Sequence, residues 1–246
     1  KVPVAMTLMG LGAFPGTDPL SLGMLGMHGT YYANMAINNC DVLFAIGSRF
    51  DDRVTGNLSE FSLKSKKIHI DIDASNIGKN VDTAVPIIGD VKSVLQDMLV
   101  LAKQLTPQKI ANFQQRTQAW WQQIESWRSK APITYHQPMD SKIKPQYVLD
   151  QLYQLTRGDA IVTTDVGQHQ MWTAQFFKFA QSHRWCTSGG LGTMGFGLPA
   201  ALGAQMAFPE AKVICVSGDG SIQMNIQELG TAVEWKLPVI IAILNN

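Results

Sequence analysis

One acidic residue and a pair of amides near the end of the chain have the types and spacing for metal chemistry. Asp219 lies in the run Gly218-Asp219-Gly220-Ser221, and Asn245-Asn246 follows after the 24 residues 221–244. Carboxylate and amide oxygens suit Mg²⁺, a hard cation that proteins hold with one or two carboxylates together with substrate phosphates. The two glycines let a phosphate approach the backbone, and the start of a following helix favours an anion. These residues predict a Mg²⁺–diphosphate site.

Two apolar runs are expected to position these groups. Val213–Val216 precedes the Gly-Asp-Gly run and Val239–Leu244 precedes the Asn pair, and both resemble buried parallel strands. A right-handed crossover places the two strand ends on one sheet edge, where neighbouring strands lie about 5 Å apart. We therefore expect Asp219 and the Asn pair to meet there, although a generic β-α-β unit with polar turns shares the pattern. The helix between the strands is predicted from four apolar residues at helical spacing: Ile222, Ile226, Leu229 and Val233.

The rest of the chain predicts two α/β halves. We predict a first domain over residues 1–106, a helical linker over 107–144 and a second domain over 145–246. Both domains are expected to be truncated, doubly wound folds with mostly parallel sheets. The predicted strands are 3–7, 42–46, 68–72, 160–164, 185–187, 212–217 and 238–244. The predicted helices lie near 31–38, 91–105, 110–129 and from Pro145 onward.

Two of these helices have predicted faces. Asp90 is expected to cap the helix over 91–105. Its inward face is predicted to hold Val91, Val94, Leu95, Met98, Leu99 and Ala102. The Gln-rich helix over 110–129 carries Phe113, Trp120, Ile124 and Trp127 on one face. We interpret that aromatic face as packing against a domain, with a ligand-stacking platform as the alternative.

The composition excludes several kinds of partner. The 246 residues are 46% hydrophobic, so the chain can bury one large core or two smaller ones. A net charge of +1 gives no general attraction to nucleic acid or to a membrane surface. No apolar stretch of the sequence reaches transmembrane length. We therefore expect neither a nucleic-acid nor a membrane partner.

The run Gly190–Gly195 matches the dinucleotide-binding pattern G-x-G-x-x-G. That fingerprint needs a long buried strand before it and an acidic residue about 20 positions later. The preceding residues 185–189 are short and polar, and Asp219 is already explained by the diphosphate site. We interpret the run as a coincidental match, with an NAD site as the alternative.

Four further segments make the chain similar to one enzyme family. Together with the spaced Gly-Asp-Gly and Asn-Asn motifs, they are Gly26–Thr30, Arg49–Arg53, Asp165–Trp172 and Ser188–Ala201. They resemble the acetohydroxyacid (acetolactate) synthase family of thiamine-diphosphate enzymes, collinearly over essentially the whole chain. The resemblance implies an FAD-binding central domain followed by a thiamine-diphosphate-binding domain.

The resemblance also implies a reaction. The family decarboxylates pyruvate on thiamine diphosphate and transfers the hydroxyethyl unit to a second 2-keto acid. Pyruvate as acceptor gives 2-acetolactate and 2-ketobutyrate gives 2-aceto-2-hydroxybutyrate, both in branched-chain amino-acid synthesis. The implied cofactors are thiamine diphosphate, Mg²⁺ and FAD, the last without net redox work.

The motif matches assign residues to the thiamine-diphosphate site. By resemblance, Asp219 and Asn246 are metal ligands, and Gln168 and Met194 are catalytic, with Met194 holding the cofactor in its bent shape. A satisfied core histidine, ordinary core packing and a helix cap are the alternative roles of His169, Met194 and Ser221. The implied cofactor contacts are Val166, Gly167, Gln168, His169, Gly192, Met194, Gly220 and Ser221.

The first half is assigned in the same way. Arg49 is expected to meet a pyrophosphate and Asp71 to accept from a ribose or ribityl hydroxyl, with a turn aspartate as the alternative for Asp71. Arg53 is the candidate that recognises the carboxylate of the second 2-keto acid, with a surface salt bridge as the alternative. The FAD contacts implied by resemblance are Thr7, Leu8, Leu25, Gly26, Met27, His28, Gly47, Ser48, Arg49, Phe50, Asp51, Asp71, Asp90 and Val91.

The resemblance further implies a homodimer or tetramer of catalytic subunits and a small regulatory subunit. The glutamate that activates the cofactor in this family lies in a domain absent from the 246 residues, so these alone are expected to be inactive. Bacterial cytoplasm is the expected location, or a plastid or mitochondrion in a eukaryote. Two alternatives stay open: a thiamine- and FAD-dependent enzyme of the pyruvate oxidase type, and a non-catalytic cofactor-binding homologue.

Overall fold

The structure is a computed structural model that describes residues 1–140 and 142–245. The strands are β1 (Val4–Met6), β2 (Ser21–Met24), β3 (Val42–Ile46), β4 (Lys66–Asp71), β5 (Val85–Ile88), β6 (Ile161–Thr164), β7 (Trp185–Thr187), β8 (Val213–Gly218) and β9 (Ile240–Leu244). The helices are α1 (Tyr31–Asn39), α2 (Asp52–Thr55), α3 (Val91–Ala102), α4 (Pro107–Lys130), α5 (Pro145–Thr156), α6 (Gln168–Phe176), α7 (Gly197–Ala207), α8 (Asp219–Gln223) and α9 (Glu228–Glu234). Short 3₁₀ helices span Leu8–Gly10 and Ala74–Asn76.

The chain divides into two compact units. The first contains Lys1–Thr7 and Leu25–Pro132, and the second contains Leu8–Met24 and the chain from Ile133 onward. No pattern in the sequence indicated that the segment Leu8–Met24 belongs with the second half. The predicted family-domain boundaries near residues 106 and 144 stay a prediction. None of the helices in the described ranges is both long and apolar enough to cross a membrane.

The first unit contains a three-stranded parallel sheet in the order β3-β4-β5. Apolar side chains of β3 and of the following loops form its core, which includes Leu43, Ala45 and Phe61. Strand β3 matches the predicted range, and β4 begins two residues before the predicted one. Strand β5 was not predicted, because Pro86 in a run of four residues argues against a strand unless it lies at a sheet edge.

The predicted buried face of helix α3 is wrong, although its predicted cap is confirmed. Asp90 does cap it, accepting a hydrogen bond from the Ser93 amide at 3.0 Å. The six residues predicted to face inward, however, are not buried: within the described chain α3 has no buried residue, and Leu99 is 61% exposed. Helical spacing identifies an apolar face, but it does not show whether anything covers that face.

Helix α4 is longer than predicted, because Thr106 caps it and Pro107 occupies its first turn. Ile124 is fully buried, and the rings of Trp120 and Trp127 pack edge to face with centroids 5.5 Å apart. Phe113, predicted on the same face, is 48% exposed. The contacts of the two tryptophans agree with a packing role for this face.

The second unit contains a four-stranded parallel sheet in the order β7-β6-β8-β9. Helix α7 packs on it through Leu198, Ala201 and Leu202. This helix was not predicted, because two glycines and a proline in 11 residues give it poor helix propensity. Gly197 is needed for the close approach, since a Cβ there would lie 2.7 Å from the Asp165 backbone nitrogen. The mostly parallel α/β class predicted from the sequence is confirmed.

The single helix predicted between β8 and β9 is also wrong. The strands are parallel neighbours as expected, with Gly218 paired to Leu244. The single helix expected between them is two short helices, α8 and α9, separated by a turn. Of the four residues at helical spacing only Ile222 is buried, whereas Val233 is 79% exposed. The spacing continued through the turn by coincidence, so it predicted one helix where there are two.

Candidate cofactor site

The carboxyl edge of β6, β8 and β9 brings the predicted metal-binding motifs together. The last residues of β8 and β9, Gly218 and Leu244, are paired, and Asp219 and Asn245 directly follow them. Asp165 follows β6 on the other side of β8. The expected meeting of the two motifs at one edge is therefore confirmed for Asp219 and Asn245. Asn246, the predicted second metal ligand, lies outside the described residues.

The Gly-Asp-Gly run leaves room for a ligand. Asp219 and Gly220 are both exposed, and nothing lies within 4 Å of the position that a Cβ of Gly220 would take. A carboxylate with an open backbone beside it fits a hydrated Mg²⁺ that shares its coordination with phosphate oxygens. The donor types and the open space agree with the predicted Mg²⁺–diphosphate site.

His169 lies in a slot between two glycines. A Cβ on Gly218 would lie 2.9 Å from its Nδ1 atom, and a Cβ on Gly167 would lie 2.8 Å from its Cε1 atom. Gly167 has φ +154°, a conformation that residues with a Cβ rarely adopt. The imidazole therefore occupies space that any larger residue at position 218 or 167 would take.

Burial favours the neutral form of the His169 imidazole, and one of its ring nitrogens is available to a ligand. Burial lowers its pKa below the ordinary value, and the carboxylates of Asp165 and Asp219 offset this only in part. The side chain is 6% exposed, and its Nε2 atom has no hydrogen-bond partner among the described residues. Since buried polar atoms normally have partners, this nitrogen fits a site that is completed by a bound polar group.

The loop 188–195 carries the other predicted contacts. Met194 is 44% exposed and Gly192 is exposed, so both are accessible to a ligand. The loop is held internally by a hydrogen bond from the Thr193 amide to the Ser188 hydroxyl at 3.0 Å. It lies between β7 and α7 and ends at the buried Gly195.

Gln168 and Ser221 lie at the same sheet edge but differ in accessibility. Gln168 is exposed at the first turn of α6. Ser221 is 3% exposed, and its hydroxyl donates to the Val166 carbonyl at 3.2 Å. That hydroxyl joins the β6 and β8 loops, and its predicted contact with a diphosphate stays a prediction.

The first unit brings its predicted segments to the carboxyl edge of β3, β4 and β5. Residues 47–51 follow β3, Asp71 ends β4, and Asp90 with Val91 follows β5. The Gly47 amide donates to the Ile70 carbonyl at 2.8 Å, and the Gly89 amide to the Asp71 carbonyl at 3.0 Å. Three segments separated in sequence are thereby assembled on one edge, where open parallel sheets bind ligands.

The segment Leu25–His28 packs against the backbone of Arg53. The Met27 amide donates to the Arg53 carbonyl at 2.8 Å, and a Cβ on Gly26 would clash with that same carbonyl oxygen. The Asn34 side chain holds both backbone groups of Gly26, at 2.7 and 2.9 Å. Two of the family-like segments, Gly26–Thr30 and Arg49–Arg53, are therefore neighbours. The role of Asn34 was not predicted, because a single amide side chain in a helix forms no pattern in the sequence.

The charged residues at this edge are already paired. Arg49 contacts Asp51 at 3.1 Å and Arg53 contacts Asp52 at 2.6 Å, both on the surface. Asp71 is 6% exposed and accepts from the Asp73 amide at 2.9 Å, with His69 Nε2 at 3.8 Å from its other oxygen. The salt-bridge and turn-aspartate alternatives thus describe the observed contacts, and the ligand roles stay predictions.

The remaining predicted flavin contacts are distributed between the units. Thr7 belongs to the first unit and Leu8 to the second. Met27 is 65% exposed and His28 is also exposed, whereas Phe50 is 4% exposed and packs against Phe61 and His69. Phe50 therefore acts in the core of its unit.

Comparison with known proteins agrees with this arrangement. Residues 1–98 match the family model for the central domain of thiamine pyrophosphate enzymes, and residues 165–246 match that for their C-terminal TPP binding domain. The chain therefore belongs to the thiamine pyrophosphate enzyme family.

Within that family the chain is similar to acetolactate synthase large subunits. It is 54% identical over all 246 residues to the isozyme 3 large subunit of Escherichia coli, covering 42% of that protein. It is 50% identical to the large subunit of Haemophilus influenzae and 51% identical to that of the alga Porphyra purpurea, covering 42% and 40% of them. The chain thus spans about two-fifths of the length of these relatives.

Proposed function

We propose that the chain is part of an acetolactate synthase large subunit. The proposed reaction decarboxylates pyruvate and joins the remaining two-carbon unit to a second 2-keto acid. The observation that carries the proposal is the meeting of Asp219 and Asn245 at one sheet edge, in a chain 54% identical to such a subunit. Thiamine diphosphate supplies an electron sink when bound, which the protein's side chains cannot provide.

The predicted site residues of the second unit have different proposed roles in binding the cofactor and its metal ion. Asp219 and Asn246 hold Mg²⁺, and the backbone at Gly220 admits the diphosphate. The neutral His169 offers its unpartnered Nε2 to a polar atom of the cofactor. Met194, a flexible thioether on an accessible loop, supports the cofactor rings, and the exposed Gln168 contacts the cofactor as a catalytic residue.

We propose FAD at the carboxyl edge of β3, β4 and β5. Gly47, with φ +59°, has nothing within 4 Å of the position that a Cβ would take and so leaves room for a ligand, whereas Gly26, with φ +96°, lets the backbone pass close to the Arg53 carbonyl. Arg49 would exchange its surface contact with Asp51 for a pyrophosphate, which a guanidinium can bind through two parallel hydrogen bonds.

Arg53 is proposed to bind the carboxylate of the acceptor 2-keto acid. Its ion pair with Asp52 is exposed on both sides, with 71% and 76% of the side chains accessible. An exposed pair of this kind contributes at most about 1 kcal/mol, so a substrate carboxylate can replace it.

Partners and location are proposed from the relatives. Their description as large subunits supports a smaller, regulatory partner, and a dimer or tetramer of catalytic subunits is proposed. The glutamate that activates the cofactor is proposed to lie outside these 246 residues, which alone are expected to be inactive. We propose bacterial cytoplasm as the location, with an organelle as the alternative in a eukaryote.

The test is pyruvate turnover by the complete protein with Mg²⁺ and thiamine diphosphate, with and without FAD. Acetolactate formation with the flavin remaining oxidised supports the synthase. Acetate or acetyl phosphate with flavin reduction would mean an oxidase, and cofactor binding without turnover would mean a non-catalytic homologue. The same assay applied to residues 1–246 alone should give no acetolactate.

A further inference from the structure

Gly195, the residue after Met194, has both backbone polar groups held by side chains from distant segments. Its amide donates to Oδ1 of Asp165 at 2.7 Å, and its carbonyl accepts from Nδ2 of Asn225 at 2.7 Å. Asp165 follows β6, and Asn225 lies in the turn between α8 and α9. One residue of the 188–195 loop is therefore tied to two of the segments that build the site.

Asp165 is itself fixed in place. It is fully buried, its Oδ1 also accepts from the Val166 amide at 3.2 Å, and its Oδ2 accepts from the Ser217 hydroxyl at 3.4 Å. Hydrogen bonds to an ionised carboxylate are stronger than neutral ones, and an unpartnered buried carboxylate is costly. The network therefore keeps Gly195 at a fixed position relative to β6 and β8.

The position of Gly195 has no room for a side chain. A Cβ at this position would lie 2.7 Å from Nδ2 of Asn225 and 3.0 Å from Cβ of Met224, and φ is +88°. Gly195 therefore packs closely against the side chains of Asn225 and Met224, while the adjoining Met194 side chain remains 44% exposed.

We propose that Asp165 and Asn225 are positioning residues of the thiamine-diphosphate site, because they fix Gly195 and thereby the place from which Met194 supports the cofactor. This inference rests on the proposed function. A thioether is flexible, so it can hold a ligand in one shape only if its own backbone is held. Binding of the Mg²⁺–diphosphate group depends on other residues, so disturbing the pair should affect turnover more than affinity.

The test uses Asn225→Asp in the complete protein. The substitution keeps the side-chain size but replaces the amide that donates to the Gly195 carbonyl with an acceptor. We expect kcat to fall about 10-fold, since small displacements of positioning groups are costly in rate. The KM for pyruvate and the dissociation constant of Mg²⁺–thiamine diphosphate should stay within about threefold. The induced circular dichroism of the bound cofactor should change, because it reports the angle between the cofactor rings.

Asn39→Asp is the matched control, because the exposed Asn39 in α1 of the first unit also donates its side-chain amide to a backbone carbonyl, that of Met35 at 2.8 Å. Asn225→Ala removes the donor without adding a charge and repeats the test if Asn225→Asp does not fold. A kcat equal to that of the control overturns the inference. So does a loss of cofactor affinity and melting temperature in parallel with kcat, which indicates a folding role. Failure of the unsubstituted protein to bind thiamine diphosphate would instead refute the proposed function, and this inference with it.

Discussion

The two sheet edges that carry the predicted site residues are organised differently. At the edge of β6, β8 and β9, buried polar groups such as Asp165 and Ser221 bond to backbone atoms of neighbouring loops. At the edge of β3, β4 and β5, the arginines lie on the surface and pair with adjacent aspartates. Buried hydrogen bonds fix a geometry, whereas exposed ion pairs exchange partners at little cost. The edge of β6, β8 and β9 is therefore suited to holding a reacting group in place, and the edge of β3, β4 and β5 to binding anionic ligands by ion pairs.

The largest expected effect tests the first edge. Asp219→Asn in the complete protein removes the negative charge from the proposed Mg²⁺ site, and we expect pyruvate turnover to fall on the order of 100-fold or more. Asp73→Asn, which alters an exposed capping aspartate of the first unit, is the control. Equal turnover in the two variants would show that Asp219 is not a metal ligand.

The next effect tests whether the buried geometry matters. Gly218→Ala places a Cβ within 2.9 Å of the His169 ring, so the imidazole or β8 must shift. We expect thiamine-diphosphate affinity to fall about 10-fold, measured by titration of the cofactor-free protein. Gly203→Ala in α7 is the control, because a Cβ there meets nothing within 4 Å and raises helix propensity by about 1 kcal/mol. If both variants bind alike, the His169 slot has no role in binding.

The second edge is tested through Arg53. Arg53→Ala should lower kcat/KM for 2-ketobutyrate as acceptor about 10-fold, because it removes the group proposed to bind the carboxylate. Cofactor affinities should not change. Arg116→Ala is the control: it removes another exposed arginine of the same unit, 3.7 Å from Asp41, and should leave kcat/KM for pyruvate and for 2-ketobutyrate unchanged. Unchanged acceptor kinetics in the Arg53 variant would contradict the proposed role.

The smallest effect concerns acid stability. The folded state holds His169 at a lowered pKa, so below the unfolded value of about 6.5 the unfolded chain binds more protons than the folded one. His169 should therefore destabilise the second unit progressively as pH falls below that value, and contribute no such penalty above it. His169→Gln should flatten this part of the stability profile in denaturant titrations. An unchanged slope between pH 7 and 5 would contradict the assignment of a buried neutral imidazole.

The sequence predicted the parts of the fold that have a local pattern. The β-branched runs before Asp219 and Asn245 identified β8 and β9, and parallel topology then placed the two motifs on one edge. Strand β5 and helix α7 were missed, because Pro86 and the glycines of α7 contradict local propensity and are tolerated only in their tertiary setting.

The contacts that hold the site could not be predicted from local patterns. Asp165 and Asn225 each bond to Gly195, 30 positions away, and Asn34 bonds to Gly26 on the preceding loop; a single polar residue carries no periodic signal. The exposed apolar face of α3 had a clear helical period, but such a period does not show what covers a face, and the period between β8 and β9 ran through the turn that separates α8 from α9. Conversely, the glycines of the site were recognised in the sequence, but their reasons became evident only from the groups that a Cβ would meet.

The most direct test is a crystal structure of the complete protein with thiamine diphosphate and Mg²⁺. The proposed site predicts the metal about 2.0–2.1 Å from a carboxylate oxygen of Asp219, with the diphosphate beside residues 166–169 and Met194 against the cofactor rings. A cofactor bound away from the edge of β6, β8 and β9, or a metal without Asp219 as ligand, would contradict it.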